Sequence, residues 1–491
     1  MASDLRKLKE MEQKLIQNNF NFELPTLVLS EVVLAYLSTK YSSAVIQWVS
    51  KSIPNSIFVE FEQFQTDTTF SSVMTDHFIR LGSPLKTIFD LPNISDRRNR
   101  LEKAGFDTIE LFPMMDIELV MRDLEPFDEY EALHAVLKHY YLGMSCNTEQ
   151  NHGFIAEIID KLNIRKREYP LVDFKWKFAN KNGESTRRSF HSTTSNGNEV
   201  LIFGGFGSDT DENAHKKLTS MVKIPIDQNQ SAVLDVINDV TFEAVSPVTL
   251  CFTNGTTLVY GGRKSPYKVN LEYKQLNSDM KVHVNLPENL IGSYRTAVCS
   301  IGPDHFVQFG GRGNPKGSFS SSLYEIKLVG NEIIGTELTP NDNDCSLPPL
   351  ASSTVTFLNG KIWIIGGLFE NGSISNKIFK VENESSGYRI VETATMKFAI
   401  YGHTATVYNN QIVICGGISD ISYDDDYVIM LTDDNECSIE RIRFDGERCL
   451  MHGHGMIKRD DKIEIIGGGN NCFSFGTHLN HLQTLIERIQ S

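Results

Sequence analysis

Hydrophobic and polar positions along this chain follow two different periods. After about residue 170, short aliphatic or aromatic runs end in paired glycines six times: LIFGG at Gly204, LVYGG at Gly261, VQFGG at Gly310, IWIIGG at Gly366, IVICGG at Gly416 and IEIIGG at Gly467. The spacings are 57, 49, 56, 50 and 51 residues. Turn-forming pairs stand before the runs, at Asn196-Gly197, Asn254-Gly255, Asn359-Gly360, Asn409-Asn410 and Asp460-Asp461. Such residues accept the φ > 0 of a tight hairpin, so each repeat predicts two paired inner strands running into a glycine doublet. Before residue 165 the pattern lengthens. Leu5 to Asn18 has helical spacing, Leu24 to Glu31 and Ser56 to Phe64 read as strands, and VVLAYLS and YSSAVIQWVSKSI between them read as helical. Further helices are predicted around Ser71 to Leu81, Arg97 to Ala104 and Tyr130 to Leu142. The order helix, strand, helix, strand is that of a doubly wound α/β sheet.

A repeat of about 50 residues is the length of a kelch unit, and six of them predict a six-bladed β-propeller over 166–491 behind an α/β domain over 1–165. The last repeat has only CFSF, Cys472 to Phe475, directly after its doublet, and lacks an outer strand of its own. The alternating segment Val172 to Phe178 is predicted to supply it, so that both ends of the array share one blade and no sheet edge stays open.

Composition narrows the class. Forty-seven basic against 62 acidic side chains leave a net charge of −15, which carries no global footprint for nucleic acid; any RNA site must be a local patch. The eight cysteines are scattered without a C-x-x-C pair, the pattern of free thiols in a reducing compartment and of neither a zinc site nor a disulfide frame. No run reaches 18 apolar residues, so a soluble, cytoplasmic protein without metal or membrane span is expected.

In the first 145 residues, DLRKL at Asp4, LPTLVLSEVVLAYL from Leu24, FVEFEQF from Phe58, MTDHF at Met74, LGSPL at Leu81, RNRLEKAGF at Arg98 and EPFDEYEALHAVLKHYYL from Glu125 resemble the C-terminal half of the leucine carboxyl methyltransferase family. The resemblance implies a class I, Rossmann-like fold and S-adenosyl-L-methionine (AdoMet) as methyl donor. A kelch propeller behind the methyltransferase is similar to the family's wybutosine-synthesizing branch. That branch implies carboxyl methylation and methoxycarbonylation of the modified guanosine at position 37 of tRNA(Phe). Carried over residue by residue, cofactor contacts fall on Asp4, Leu5 and Glu31, and Tyr36 is the candidate to face the substrate. A carboxylate accepts from an adenine amino group, and an acid at the carboxyl end of a strand stands where such sheets bind ligands. The plainer readings are a surface acid near a chain end for Asp4, a helix N-terminal acid for Glu31 and a packed aromatic for Tyr36. Glu62, another strand-end acid, receives no role.

The glycine-rich turn and the ribose-binding acid that this fold places after its first two strands are not found, and Met1 precedes the Asp4-Leu5 pair by only three residues. The expectation is therefore an incomplete cofactor site, from which two readings of different class follow. One is a catalytic enzyme of which this sequence is a part; the other is a propeller acting as a binding scaffold. A protein leucine carboxyl methyltransferase is a third reading, disfavoured by the propeller. The exposed edge of a sheet interrupted in this way should make residues 1–165 poorly soluble alone.

A basic stretch joins the domains: Lys161, Arg165, Lys166, Arg167, Lys175, Lys177, Lys181, Arg187 and Arg188, interleaved with Tyr169, Phe174 and Trp176. It reads either as a tRNA(Phe) contact centred on Arg165, Lys166 and Arg167, or as a solvated linker with Trp176 packed in a blade. Finally, His191, His403 and His454 each lie 13 residues before a doublet; the corresponding positions of the third and fourth repeats are Ala297 and Ser353. Repeated strand-start chemistry explains them better than a metal site.

Overall fold

The computed structural model describes residues 2–65, 67–121, 130–162, 172–180, 186–208, 216–226, 235–237, 242–265, 268–276, 282–313, 318–341, 346–384, 387–419, 427–445, 448–459 and 462–489. The chain forms two compact units, one of Met1–Glu125, Glu129–Arg167 and Asn471–His478, the other mainly of Glu168–Asn470 and Leu479–Ser491.

In the first unit the elements run α1 (Leu8–Gln17), β1 (Thr26–Glu31), α2 (Thr39–Ser52), β2 (Ser56–Gln63), α3 (Thr69–Arg80), α4 (Ile94–Ala104), β3 (Thr108–Pro113), α5 (Met114–Met121), α6 (Tyr130–Leu137), β4 (Tyr140–Cys146) and α7 (Glu149–Leu162). The sheet order is β1-β2-β4-β3. β1 runs parallel to β2, from Thr26 opposite Ser56 to Glu31 opposite Phe61, whereas β4 is antiparallel to both β2 and β3. Helix α2 buries Val45, Ile46 and Val49, and α4 buries Leu101 and Ala104. α4 starts in a capping box between Asn93 and Asp96 and stops at Gly105, whose φ of 100° suits the left-handed C-cap.

Two readings differ from expectation: VVLAYLS, read as helical, is a turn with Val32 at φ 51° and a single 3₁₀ turn at Leu34–Tyr36, and a later helix ends early. Residues 140–142, read as the tail of a helix, begin β4. The segment YYLGMSC is buried almost throughout and so shows no alternation, and Gly143 in its middle looks like a break. In the sheet that glycine is required, because a Cβ there would stand 2.8 Å from Leu111 Cδ2 and 2.9 Å from Glu60 Cγ.

The second unit carries six blades among its described residues. Their inner strands are Ser192–Ser195, Val248–Cys251, Ala297–Gly302, Thr354–Leu358, Thr404–Tyr408 and Gly455–Arg459. Each pairs antiparallel with the strand that runs into its doublet. All twelve doublet glycines have positive φ. The second glycine of each doublet donates its N–H to a carbonyl of the next blade: Gly205 to Ala244, Gly262 to Ser293, Gly311 to Leu350, Gly367 to Ile400, Gly417 to Met451, and Gly468 back to Arg188. The sixth of these bonds returns to the first blade and closes the ring.

β5 (Val172–Asn180) forms the outer strand of the last blade, antiparallel to Gln483–Arg488, and also lies parallel to the outer strand of the fifth blade, Cys437–Asp445. Trp176 is buried between them and donates Nε1–H to Glu440 Oε2 at 2.6 Å. The third strand of this blade is Gln483–Arg488. The CFSF segment instead contains a 3₁₀ turn, Phe473–Phe475, within the first unit. There Phe475 packs against Phe70, His77 and Phe78 of α3 at centroid distances of 5.6–5.9 Å.

Candidate functional site at the carboxyl ends of β1 and β2

β1 and β2 end side by side, and the chain leaves β1 through a tightly pinned turn. Glu31 is the exposed last residue of the strand. Val32 follows at φ 51°, a left-handed conformation that costs a β-branched residue on the order of 1–3 kcal/mol and persists only when surrounding bonds hold it. Val32 N–H donates to Phe61 O at 2.8 Å, and Leu34 N–H donates to Glu62 Oε1 at 2.9 Å. The turn continues as a single 3₁₀ turn, Leu34–Tyr36, and Ala35 O accepts from Lys86 N–H at 2.7 Å. Tyr36 meets Phe78 edge-on with ring centroids 6.0 Å apart.

Strand β2 carries two acids on one face because side chains alternate along a strand. Glu60 and Glu62 are both fully buried. Glu60 forms an ion pair with Arg100 Nη2 at 2.9 Å and accepts from Tyr141 Oη–H at 3.0 Å. Arg97 donates Nη2–H to Gln63 O at 3.0 Å. Glu62 has no cation in bonding contact among the described residues. Burial, reinforced by the neighbouring Glu60 charge, pushes its carboxyl up to about 7, against the opposing pull of Arg97, the Leu34 N–H and Arg100. Burial also raises Tyr36 and Tyr140, and the Glu62 charge adds to both. Tyr140 stacks on Phe61 at 5.1 Å and accepts from Gln63 Nε2–H at 3.2 Å.

The residues selected from sequence thus fall in two places. Glu31 and Tyr36 share the pinned turn. Asp4 and Leu5 precede α1, and the Asp4 carboxylate accepts from Arg6 Nε at 2.9 Å and Arg6 Nη2 at 2.7 Å, which holds it down near 2. Glu62, left without a role in the sequence, links to the turn through Leu34. The donor set can be tested against a ligand such as AdoMet, whose ammonium and ribose hydroxyls are hydrogen-bond donors. The exposed Glu31 carboxylate and the buried Glu62 Oε2, which has no hydrogen-bond partner among the described residues, fit such a group.

The second unit offers different chemistry. Arg165, Lys166, Arg167, Tyr169 and Lys181 lie outside the described residues. Arg188 is fully buried, donating to Gly204 O, Ser220 O and Ser220 Oγ, and so serves the blades. Lys175 and Lys177 are exposed on β5, as is Phe174, over which the Arg441 guanidinium stands at 5.7 Å.

The three repeated histidines are buried. His403 Nε2 is 2.8 Å from Thr354 Oγ1 and His454 Nε2 is 2.7 Å from Thr404 Oγ1, each on the inner strand of the preceding blade. Each ring also covers the first glycine of the preceding doublet: a Cβ on Gly366, Gly416 or Gly467 would lie 3.0, 2.7 or 2.8 Å from Cε1 of His403, His454 or His191. The ring of blade-to-blade bonds makes Thr296, and not Ala297, the third repeat's equivalent, because a bulge at Ser300–Gly302 shifts that hairpin by one residue. Among the described residues no group of three or more His, Cys, Asp or Glu side chains is placed to hold a metal ion, and no helix is long and apolar enough to cross a membrane.

Comparison with known proteins agrees with this two-part architecture. Residues 247–482 match the family model described as tRNA wybutosine-synthesizing protein 4, beta-propeller, and residues 1–50 match leucine carboxyl methyltransferase. The chain is 26% identical to human tRNA wybutosine-synthesizing protein 4 over 99% of its own length and 76% of the relative's. It is 24% identical to the Saccharomyces cerevisiae protein of that name, over 92% and 67%. Leucine carboxyl methyltransferase 1 of Rattus norvegicus matches at 29% over only 31% of this chain. With a methyltransferase match ahead of a wybutosine-type propeller match, the chain is similar to the propeller-bearing tRNA wybutosine-synthesizing proteins along nearly its whole length, and to a leucine carboxyl methyltransferase over about a third of it.

Proposed function

We propose that this protein is a cytoplasmic, AdoMet-dependent tRNA methyltransferase that carries out carboxyl methylation and methoxycarbonylation of the modified guanosine at position 37 of tRNA(Phe). The observation that carries the reading is domain order. The similarity to tRNA wybutosine-synthesizing proteins runs through both units, whereas the similarity to a leucine carboxyl methyltransferase without that name stops after about a third of the chain.

AdoMet, when bound, supplies an electrophilic methyl group, and transfer to a carboxylate oxygen needs alignment more than acid-base help from the protein. The contribution of the chain is therefore positional. Glu31, fixed by the strained Val32, offers an acceptor at the strand end for a donor group of the cofactor. Asp4 and Leu5 are assigned to the adenine; the Arg6 fork on Asp4 orients that carboxylate and leaves it charged. Tyr36, its phenol kept protonated by burial beside Glu62, presents a neutral hydroxyl on the same turn.

For the tRNA, the basic stretch around Arg165, Lys166 and Arg167 is assigned to phosphate contacts, with the exposed Lys175 and Lys177 extending it. Complementation tests the reading. In a strain lacking its own enzyme, expression of this chain should restore the methylated and methoxycarbonylated nucleoside at position 37, read by mass spectrometry of purified tRNA(Phe). Persistence of the unmethylated precursor with the chain present and folded would favour a scaffold role for the propeller.

A further inference from the structure

Glu62 differs from the other buried acids of known partner. Glu60 has Arg100 and Tyr141, and Glu464 has Arg459 at 3.0 Å, but among the described residues Glu62 has one backbone N–H on Oε1 and nothing on Oε2. Removing a carboxylate from water without a cation is costly, and an atom left unbonded in that position asks for a reason.

The groups facing Glu62 can be named from each element around it. On its own strand stands Glu60; on β4, Tyr140 and Tyr141; on α4, Arg97 and Arg100; on the 3₁₀ turn, Tyr36. The two arginines already serve Gln63 O and Glu60. The neighbouring acid and tyrosines oppose the charge. Arg97 and Arg100 pull on the Glu62 charge from a distance, but among the described residues no cation bonds it, and its Oε1 holds the turn that carries Glu31 and Tyr36.

We propose that Glu62 is a positioning residue that also binds ligand directly. Its Oε1 fixes the Glu31–Tyr36 turn through Leu34 N–H, and its Oε2 accepts a hydrogen bond from an N–H or O–H group of the molecule bound there. The inference deepens the methyltransferase reading and rests on it. The donor belongs to the cofactor or to the acceptor nucleoside, which share this chemistry.

A proton-linked signature follows. With its carboxyl near 7 in the free protein, Glu62 is largely protonated at about pH 6; a ligand donor on Oε2 favours the ionised form and expels that proton. Affinity should therefore rise with pH, by up to about tenfold per pH unit below 7, and level off above it.

The experiment is calorimetric titration of the full chain with AdoMet, and separately with undermodified tRNA(Phe), at about pH 6 in two buffers of different ionisation enthalpy. Release approaching one proton is expected for whichever probe supplies the donor, with Glu62→Gln abolishing the release and flattening the pH profile. The wild-type measurement does not depend on the variant folding. Binding without proton release, or release that persists in Glu62→Gln, overturns the assignment of Glu62 while leaving the methyltransferase reading intact. Failure of the wild type to bind either probe overturns both.

Discussion

Acidification should unfold the propeller through His191, His403 and His454. Burial, the largest cause in each case, depresses all three to about 3; the Arg188 charge adds to it at His191, and protonating one ring would further disfavour protonating its neighbour, His454 against His191 and His403, and His452 against His454. The folded blades therefore hold neutral imidazoles, whereas an unfolded histidine protonates near 6.5. A folded-state pKa below the unfolded one contributes stability that is present above 6.5 and is lost as the pH falls toward 3. Between about pH 7 and about pH 5 the unfolded chain gains about 0.7 proton per histidine, which costs the native state about 2 kcal/mol each, or about 6 kcal/mol for the three. That is a large part of the roughly 5–15 kcal/mol by which a domain is ordinarily stable. The assay is urea unfolding at the two pH values, followed by fluorescence of the buried Trp176 and Trp363 in a Trp48→Phe background. Each single His→Gln variant should lose about 2 kcal/mol of the pH dependence, whatever it does to stability at neutral pH. A wild-type midpoint that does not move, or an undiminished acid shift in all three variants, would refute the reasoning. Glu62 works in the opposite sense, since its raised pKa makes the first unit lose stability as pH rises from about 4.5 to about 7; the tryptophans chosen do not report on that unit.

Other outcomes follow from named contacts. Deleting 172–180 removes a strand bonded on both sides and the buried Trp176; Trp176→Ala alone should cost about 3–5 kcal/mol in chemical denaturation. Arg100→Met leaves Glu60 buried without its cation and should destabilise the first unit by about 3–5 kcal/mol, measured by hydrogen exchange in β2; a paired Glu60→Gln change should recover part of the loss. Charge reversal at Arg165, Lys166 and Arg167 should weaken tRNA(Phe) binding and flatten its salt dependence in filter-binding titrations. Gly143→Ala forces a methyl group into Leu111 and Glu60 and should cost about 1–3 kcal/mol in thermal melts.

The legible parts of the chain are those whose physics repeats. Twelve glycines at positive φ must remain glycine, so the doublets print the blade count directly into the sequence. The last blade's third strand, Gln483–Arg488, has no doublet to mark it, whereas CFSF sits directly behind one and draws the eye instead. β4 is hidden for the opposite reason: buried on both faces, it lacks alternation. The histidine pattern is visible, but its cause, a glycine in the preceding blade, is about 40 residues away in sequence for His403 and His454 and lies at the far end of the chain, at Gly467, for His191. Glu31 and Tyr36 are readable by resemblance. Glu62 is not, because strand-end acids are common; the usable signal is E-x-E on one face of an apolar strand, which demands buried partners for both acids.

The strand that closes the ring also sets an order of events during synthesis. β5 leaves the ribosome about 300 residues before Gln483–Arg488, so at about 5–20 residues per second it waits on the order of 15–60 s for that partner. Contacts this distant in sequence also make folding slow. Throughout that interval an apolar strand bearing Trp176 and Phe178 is available to any similar strand on a neighbouring nascent chain. The alternating Lys175 and Lys177, exposed on the same strand, would place like charges together in such a pairing. Replacing them with uncharged residues should therefore lower the yield of soluble protein from cells far more than it lowers the stability of the finished propeller.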